Sequence, residues 1–289
     1  MHTWHWHTWQ AHTYLTCTLL KDWQHGFFTQ QFSPRSPFEL VEILHPAAEV
    51  YRVKQVHGNT VLSSSEVAQS VTHLSADLDA YPMKESDRLA FPDADGLFTE
   101  AGHQAVWVCT ADCTPVLIAD EETGQVAAIH AGWRGTALGI VQKTVARMLA
   151  QGSQIRHLRV AMGPAIAGEV YQVSTTVAAQ VGASIVRQPA GMAPAAASDL
   201  EQLRAIDAPE EILDALRQIP DSPLFPDPAP GKARLDVRRV NALQLEQIGI
   251  APEQIAIAPY CTYQTPDLFF SYRRQPQKKV QWSGIVSKS

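Results

Sequence analysis

Hydrophobic and polar positions alternate from the start of the chain. In "WHWHTWQAHTYLTCTLL", residues 4–20, aromatic and β-branched side chains take every second place, which predicts a strand. "HGFFTQQFSPRSPF" reads as loop. "EVYRVKQVHGNTVLSSS" reads as strand, turn and strand, with His57-Gly58-Asn59 at the turn. Residues 63–94 are polar and irregular, which predicts a surface excursion. Two apolar runs follow in "HQAVWVCTADCTPVLIAD", broken at Thr110-Ala111-Asp112. "QVAAIHAGWRGTALGIVQKTVARMLAQG" predicts a strand, a glycine-rich turn and a helix that sets Leu138, Val141, Val145, Met148 and Leu149 on one face. "IRHLRVAMGPAI" ends a further strand in Gly-Pro. "LDVRRVNALQLEQIG" predicts a helix from Asp236 to Gly249, and "QIAIAPYCTY" and "DLFFSYRR" close the pattern as strand and loop. The order of elements predicts one α+β domain over 1–289 with mixed sheets, carrying a Pro/Ala-rich surface insertion at 187–232 with a helix starting at Pro209.

The segment "PVLIADEETGQVAAIH" has the form of a hairpin. If Asp120 pairs with Gln125, Pro115 lies opposite His130 and Cys113 opposite Gly132. Side chains alternate with period two, so these four positions share a face. Cys113 and His130 become diagonal neighbours, and Gly132 leaves the face open. A third donor completes a site, and His57 beside Gly58 is the best placed. One Cys and two His leave a fourth tetrahedral corner, the layout of a catalytic zinc site. Water in such a corner reaches a pKa near ~7. A thiolate acting without metal, with His130 as its base, is the alternative use of the same pair.

A formal charge of -6 argues against a general nucleic-acid binder. No apolar stretch reaches the ~18–20 residues that span a bilayer. The opening is unlike a signal peptide, and four scattered cysteines do not make a disulfide scaffold. These features predict a cytoplasmic chain with reduced thiols. Cys109 and Cys261 are expected in the core, and His2, His5, His7 and His12 as flexible, solvated residues.

The motifs "KQVHG", "ADGLFT", "TADCTPVLIAD", "AAIHAGWRGT", "MGPAI" and "FFSYRR" occur in this order, and together they resemble the laccase-domain (YfiH-type) family over roughly residues 24 to 286. The resemblance implies an α/β/β/α sandwich similar to the catalytic domain of the cytotoxic necrotizing factor toxins. It implies a zinc or copper site at His57, Cys113 and His130. It also implies phosphorolysis of purine nucleosides (adenosine, inosine, methylthioadenosine), adenosine deamination, or copper-dependent oxidation of phenols. The segment before His57 is shorter than the family's and lacks its Gly-Gly pair.

Purine nucleosides and phosphate are therefore the expected partners of a monomer, and further residues take roles. The turn "HAGWRGTALG" leads into a helix, whose free N–H groups favour phosphate. Arg134 adds a charge-assisted fork, with Arg273 and Arg274 as further cations. Trp133 offers a face for a purine. Asp112, beside Cys113, is a candidate to orient a ligand or carry a proton. The bland alternatives are a carboxylate partner for Arg134, a solvated face for Arg273 and Arg274, an anchoring role for Trp133 and a turn cap for Asp112. A phenol oxidase is the weaker reading, because a multicopper centre needs many more His donors than three. A non-catalytic metal-binding scaffold is the third.

Overall fold

The computed structural model describes residues 2–77, 91–186 and 209–288. Two six-stranded mixed sheets pack face to face. The first has the order β1 (Trp4–Trp9), β2 (His12–Cys17), β3 (His25–Phe28), β15 (Gln281–Val286), β7 (Gln104–Thr110), β4 (Glu49–Arg52). The second has the order β14 (Ile255–Ile257), β10 (Leu158–Met162), β8 (Thr114–Asp120), β9 (Val126–Ala131), β6 (Gly96–Phe98), β5 (Val61–Ser63). Neighbours are antiparallel except β4 with β7, β10 with β14 and β5 with β6.

Period-two alternation sorts the side chains into layers. Val106 and Val108 of β7 face Leu117 and Ala119 of β8 across the inner core. Val116 and Ile118 point the other way. They meet Ile140, Val141, Val145 and Met148 of α4 (Ile140–Ala150) and Ala242 and Leu245 of α7 (Val237–Gln247). Trp107 and Val286, on the outer side of the first sheet, meet Leu40, Val41 and Leu44 of α1 (Pro37–Leu44). Both faces of β8 and β9 are therefore buried, which accounts for their nearly unbroken apolar sequences.

A smaller layer flanks this core. It joins α5 (Thr175–Val186), α6 (Pro209–Gln218) and a sheet ordered β11 (Gln172–Ser174), β13 (Lys232–Leu235), β12 (Leu224–Phe225). Residues 187–208 of the Pro/Ala-rich segment lie outside the described residues. The helix expected at Pro209 forms, and it buries Ile212, Leu213 and Leu216. Its close approach to α5 depends on Gly182, where a methyl group would lie 2.3 Å from Leu216 Cδ1. Among the described residues no helix is long and apolar enough to cross a membrane.

Several local expectations are corrected. The opening stretch is a hairpin, β1 paired to β2, turned at Gln10 and Ala11 with positive φ at both. His7 is exposed as expected, but it stacks on Tyr14 and bonds to Thr16. The stretch read as loop holds β3 and starts α1, whose capping box joins Ser36 and Glu39. The surface excursion opens with helix α2 (Ser64–Asp77), held by reciprocal bonds between Ser63 and Glu66. After "FFSYRR" the chain adds β15, an inner strand of the first sheet. The helix expected after His130 forms in two pieces. Gly139, with φ of 70°, separates α4 from the five-residue α3 (Trp133–Ala137), and Leu138 falls in the break.

Candidate metal centre

The predicted hairpin register is present: Pro115 pairs with His130 and Thr114 with Ala131. Cys113 precedes β8, and His130 is the next-to-last residue of β9. The chain between β4 and β5, which passes from the first sheet to the second, brings in His57 at a φ of 62°. One ligand atom from each of His57, Cys113 and His130 lies within 4.8 Å of the others. The two imidazoles meet edge to face, with ring centroids 4.8 Å apart. All three converge over Gly132. A methyl group there would stand 3.0 Å from Cys113 Sγ, 3.5 Å from His57 Cδ2 and 3.6 Å from His130 Cε1. A side chain there would make the thiol give by a few tenths of an ångström. Gly135 does similar service beneath, where a methyl group would lie 2.7 Å from the Gly58 carbonyl oxygen.

Asp95, which sequence reasoning passed over, organises the cluster. It is fully buried immediately before β6. Its carboxylate accepts from the successive amides of Val56 (3.3 Å), His57 (2.9 Å) and Gly58 (2.6 Å), and from Nδ1 of His130 (2.8 Å). One buried anion thus fixes the His57 turn and the His130 ring together. With Nδ1–H given to Asp95, Nε2 of His130 is the nitrogen left for the cluster. The available signal was an Asp between a turn and an apolar strand in "ADGLFT". That pattern fits a capping residue equally well.

Electrostatics inside the cluster are strong. Burial opposes ionisation of Cys113, but the charge of His130 and hydrogen bonds from both imidazoles outweigh it and bring the thiol down to about 6. Burial likewise opposes charge on His130. The Cys113 charge and then the Asp95 hydrogen bond prevail and carry the imidazole up to about 9. Each group favours the charged form of the other, and thiolate is the form that ligates.

The remaining candidates divide. A cavity of ≈ 30 Å³ adjoins Cys113 and is lined also by Asp112, Gly132, Trp133 and Tyr171. Tyr171 was not foreseen. Burial, then the nearby Cys113 charge, pushes its phenol up to about 12, so it stays neutral. Trp133 is half-buried, with the Arg134 guanidinium 4.4 Å from its ring, and Arg134 itself is exposed. The helix entering at Arg134 is only the five residues of α3, too short for a substantial N-terminal dipole. Asp112 accepts from Thr262 Oγ1 (2.6 Å) and the Arg273 amide (2.7 Å), and so fastens two distant loops. The Arg273 side chain reaches the Gln172 carbonyl and lies 4.9 Å over Tyr171. Arg274 gives its guanidinium to the carbonyls of Thr262, Tyr263 and Phe269, which leaves little for a substrate. Cys261 is buried as expected and accepts from the Ala167 amide. Cys109 is half-buried, and desolvation pushes its thiol up to about 11.

Comparison with known proteins shows the family and the likeness of fold. The family model described as multi-copper polyphenol oxidoreductase laccase matches residues 38–219 and 203–287. A purine nucleoside phosphorylase of Synechocystis sp. is 48% identical over 284 residues, covering 98% of this chain and 97% of that protein. An adenosine deaminase from an unknown prokaryotic organism is 28% identical over 190 residues, covering 66% and 60%. The crystal structure of YlmD from Geobacillus stearothermophilus superposes with a TM-score of 0.67 at 23% identity, over 98% of this chain and 99% of that one, and establishes likeness of fold.

Proposed function

The chain belongs to the multi-copper polyphenol oxidoreductase laccase family, and from that premise we propose that it is a zinc-dependent purine nucleoside enzyme. It cleaves adenosine, inosine or methylthioadenosine with phosphate, and it deaminates adenosine. The observation that carries the reading is the convergence of one thiol and two imidazoles over Gly132, with Asp95 holding one ring.

His57, Cys113 and His130 hold the cation in this reading. A thiolate with two imidazoles suits zinc, and three protein ligands leave one corner for solvent or substrate. Among the described residues only this trio brings three or more such donors together, too few for a multicopper oxidase. When bound, zinc supplies Lewis acidity at the open corner. The chain's own side chains do the rest. Asp95 keeps Nε2 of His130 directed inward. Trp133 offers a ring face at the cavity wall, and the exposed Arg134 stacked on it presents N–H edges to phosphate. Arg273 adds a second guanidinium beside Tyr171. Asp112 serves as a positioning residue, since its carboxylate already fixes the Arg273 amide.

The test is adenosine turnover with and without phosphate, alongside metal analysis. Adenine released only with phosphate supports phosphorolysis, and inosine supports deamination. Neither product from zinc-loaded protein defeats the reading. A thiolate mechanism has one observation of its own: Cys113, His130 and Asp95 stand in the order of nucleophile, base and orienting carboxylate. Full turnover after complete chelation favours that second reading.

A further inference from the structure

A cavity of ≈ 310 Å³ opens on the outer side of the first sheet, beside the start of α1. Arg35, Arg52, Lys278 and Lys279 line it together with Ser36 and Trp282, and no carboxylate does. It shares no lining residue with the cavity at Cys113. This concentration of positive charge stands out in a chain of formal charge -6.

The two arginines are held in an unusual way. The Arg35 guanidinium lies 4.7 Å from the Trp9 ring. Arg52 sits between two rings, 4.6 Å from Phe91 and 4.7 Å from Trp282. Stacking fixes the guanidinium planes and leaves their N–H edges free. Arg35 Nη1 and Arg52 Nε are buried with no hydrogen-bond partner. The ion pairs of arginine among the described residues use Arg147, Arg159, Arg217, Arg234, Arg238 and Arg239, never these two. Glu39, the carboxylate nearest in sequence to Arg35, is turned back to the amide (2.8 Å) and hydroxyl (3.0 Å) of Ser36. Guanidinium groups normally meet an acceptor, and two that line one cavity without a carboxylate partner point to an anion there.

We propose that this cavity is a second anion site, which takes a phosphate group, free or as a phosphomonoester, between Arg35 and Arg52. A tetrahedral dianion offers oxygens to both guanidinium forks at once. The exposed Lys278 and Lys279 stand at the rim and draw the anion in. The site is independent of the nucleoside chemistry proposed for the trio.

Calorimetric titration of the full chain with inorganic phosphate, ribose 5-phosphate and AMP tests it, with adenosine as the uncharged control. Saturable binding of any of the three is expected, and the tightest identifies the source of the phosphate. Arg35→Gln and Arg52→Gln should each weaken it by about tenfold or more, the effect of one charged hydrogen-bonding partner. Lys279→Glu should weaken it less. Arg52→Gln disturbs an aromatic sandwich, so Arg52→Lys, which keeps charge and loses the fork, is the companion variant, with urea midpoints compared throughout. Nucleoside turnover should stay unchanged in Arg35→Gln. Three results overturn the proposal: no binding to the wild type at millimolar concentration, equal binding to both glutamine variants, or loss of nucleoside turnover together with phosphate binding in Arg35→Gln.

Discussion

His25 in the first sheet and His130 in the second are 4% and 3% exposed, yet their surroundings shift their pKa values in opposite directions. Both nitrogens of His25 are taken by backbone: Nδ1 donates to the Trp23 carbonyl, and Nε2 accepts from the Cys17 amide, each at 2.9 Å. Those two bonds require the neutral ring. Burial pushes its pKa down to about 4 against the opposing Trp23 bond. His130 gives Nδ1 to a buried carboxylate and turns its other nitrogen to a thiol, and the same degree of burial is overcome. Burial is common to the two. What separates them is the charge of the partners and whether one ring nitrogen is left for chemistry.

One substitution made at both positions breaks the comparison most sharply. His130→Gln removes a ligand, and like Cys113→Ala it should take nucleoside turnover and stoichiometric zinc to background. His25→Gln should leave both intact. Turnover that persists in Cys113→Ala rules out the trio as the site. Asp95→Asn is the next largest effect. The amide keeps the shape but loses the charge that fixes His130 and the His57 turn, and zinc affinity should fall by about 10–100-fold. An unchanged zinc affinity in competition with a chromogenic chelator removes Asp95 from its positioning role.

The contrast between these histidines was only partly legible in the sequence. Hairpin parity put Cys113 and His130 on one face because alternation and a single pairing fix the register, and His57 beside a glycine was the natural third donor. Asp95 was missed because its partners, Val56 to Gly58 and His130, are remote in sequence, and nothing local separates it from a turn cap. Strand β15 was missed for a similar reason. "QWSGIV" is short and broken by Gly284, whose bare backbone is needed because a methyl group would lie 2.4 Å from the Trp107 ring. The Gln10-Ala11 turn lacks the Asn-Gly signal of a tight hairpin. Helix α2 was the avoidable error, since Ser63 and Glu66 stand at capping-box spacing. Local patterns were readable, and the residues chosen by distant partners were not.

Thiol reactivity sharpens the comparison with a smaller effect. In metal-free protein, Cys113 should be alkylated by iodoacetamide with a half-maximal rate near pH 6, the value to which the imidazoles bring it. Cys109, pushed up to about 11 by burial, is the unreactive internal control. His130→Gln removes the charge that lowers Cys113. Its pKa should then rise to the ordinary ~8.5 or beyond, and the rate at neutral pH should drop by about 30-fold. A wild-type profile centred at or above the ordinary thiol value contradicts the charge-paired state.

The smallest effect belongs to His25. Glutamine carries both a donor and an acceptor, so it can replace the bonds to Trp23 and Cys17, and His25→Gln should change stability near neutral pH by no more than about 1 kcal/mol. The difference appears in acid. The folded ring titrates at about 4, below the ordinary ~6.5 of the unfolded chain. Between those values the unfolded state binds the proton and the folded state does not. The His25 contribution is therefore complete above the unfolded value, and it is lost as pH falls toward the folded one, by at most about 3 kcal/mol. Glutamine has no proton to gain, while the acid responses of all other groups are common to both proteins and cancel. Urea unfolding at neutral pH and again near pH 4.5 should find the variant gaining on the wild type. Parallel losses in the two proteins mean that His25 is already protonated in the fold, and that burial without a charged partner does not hold a histidine neutral here.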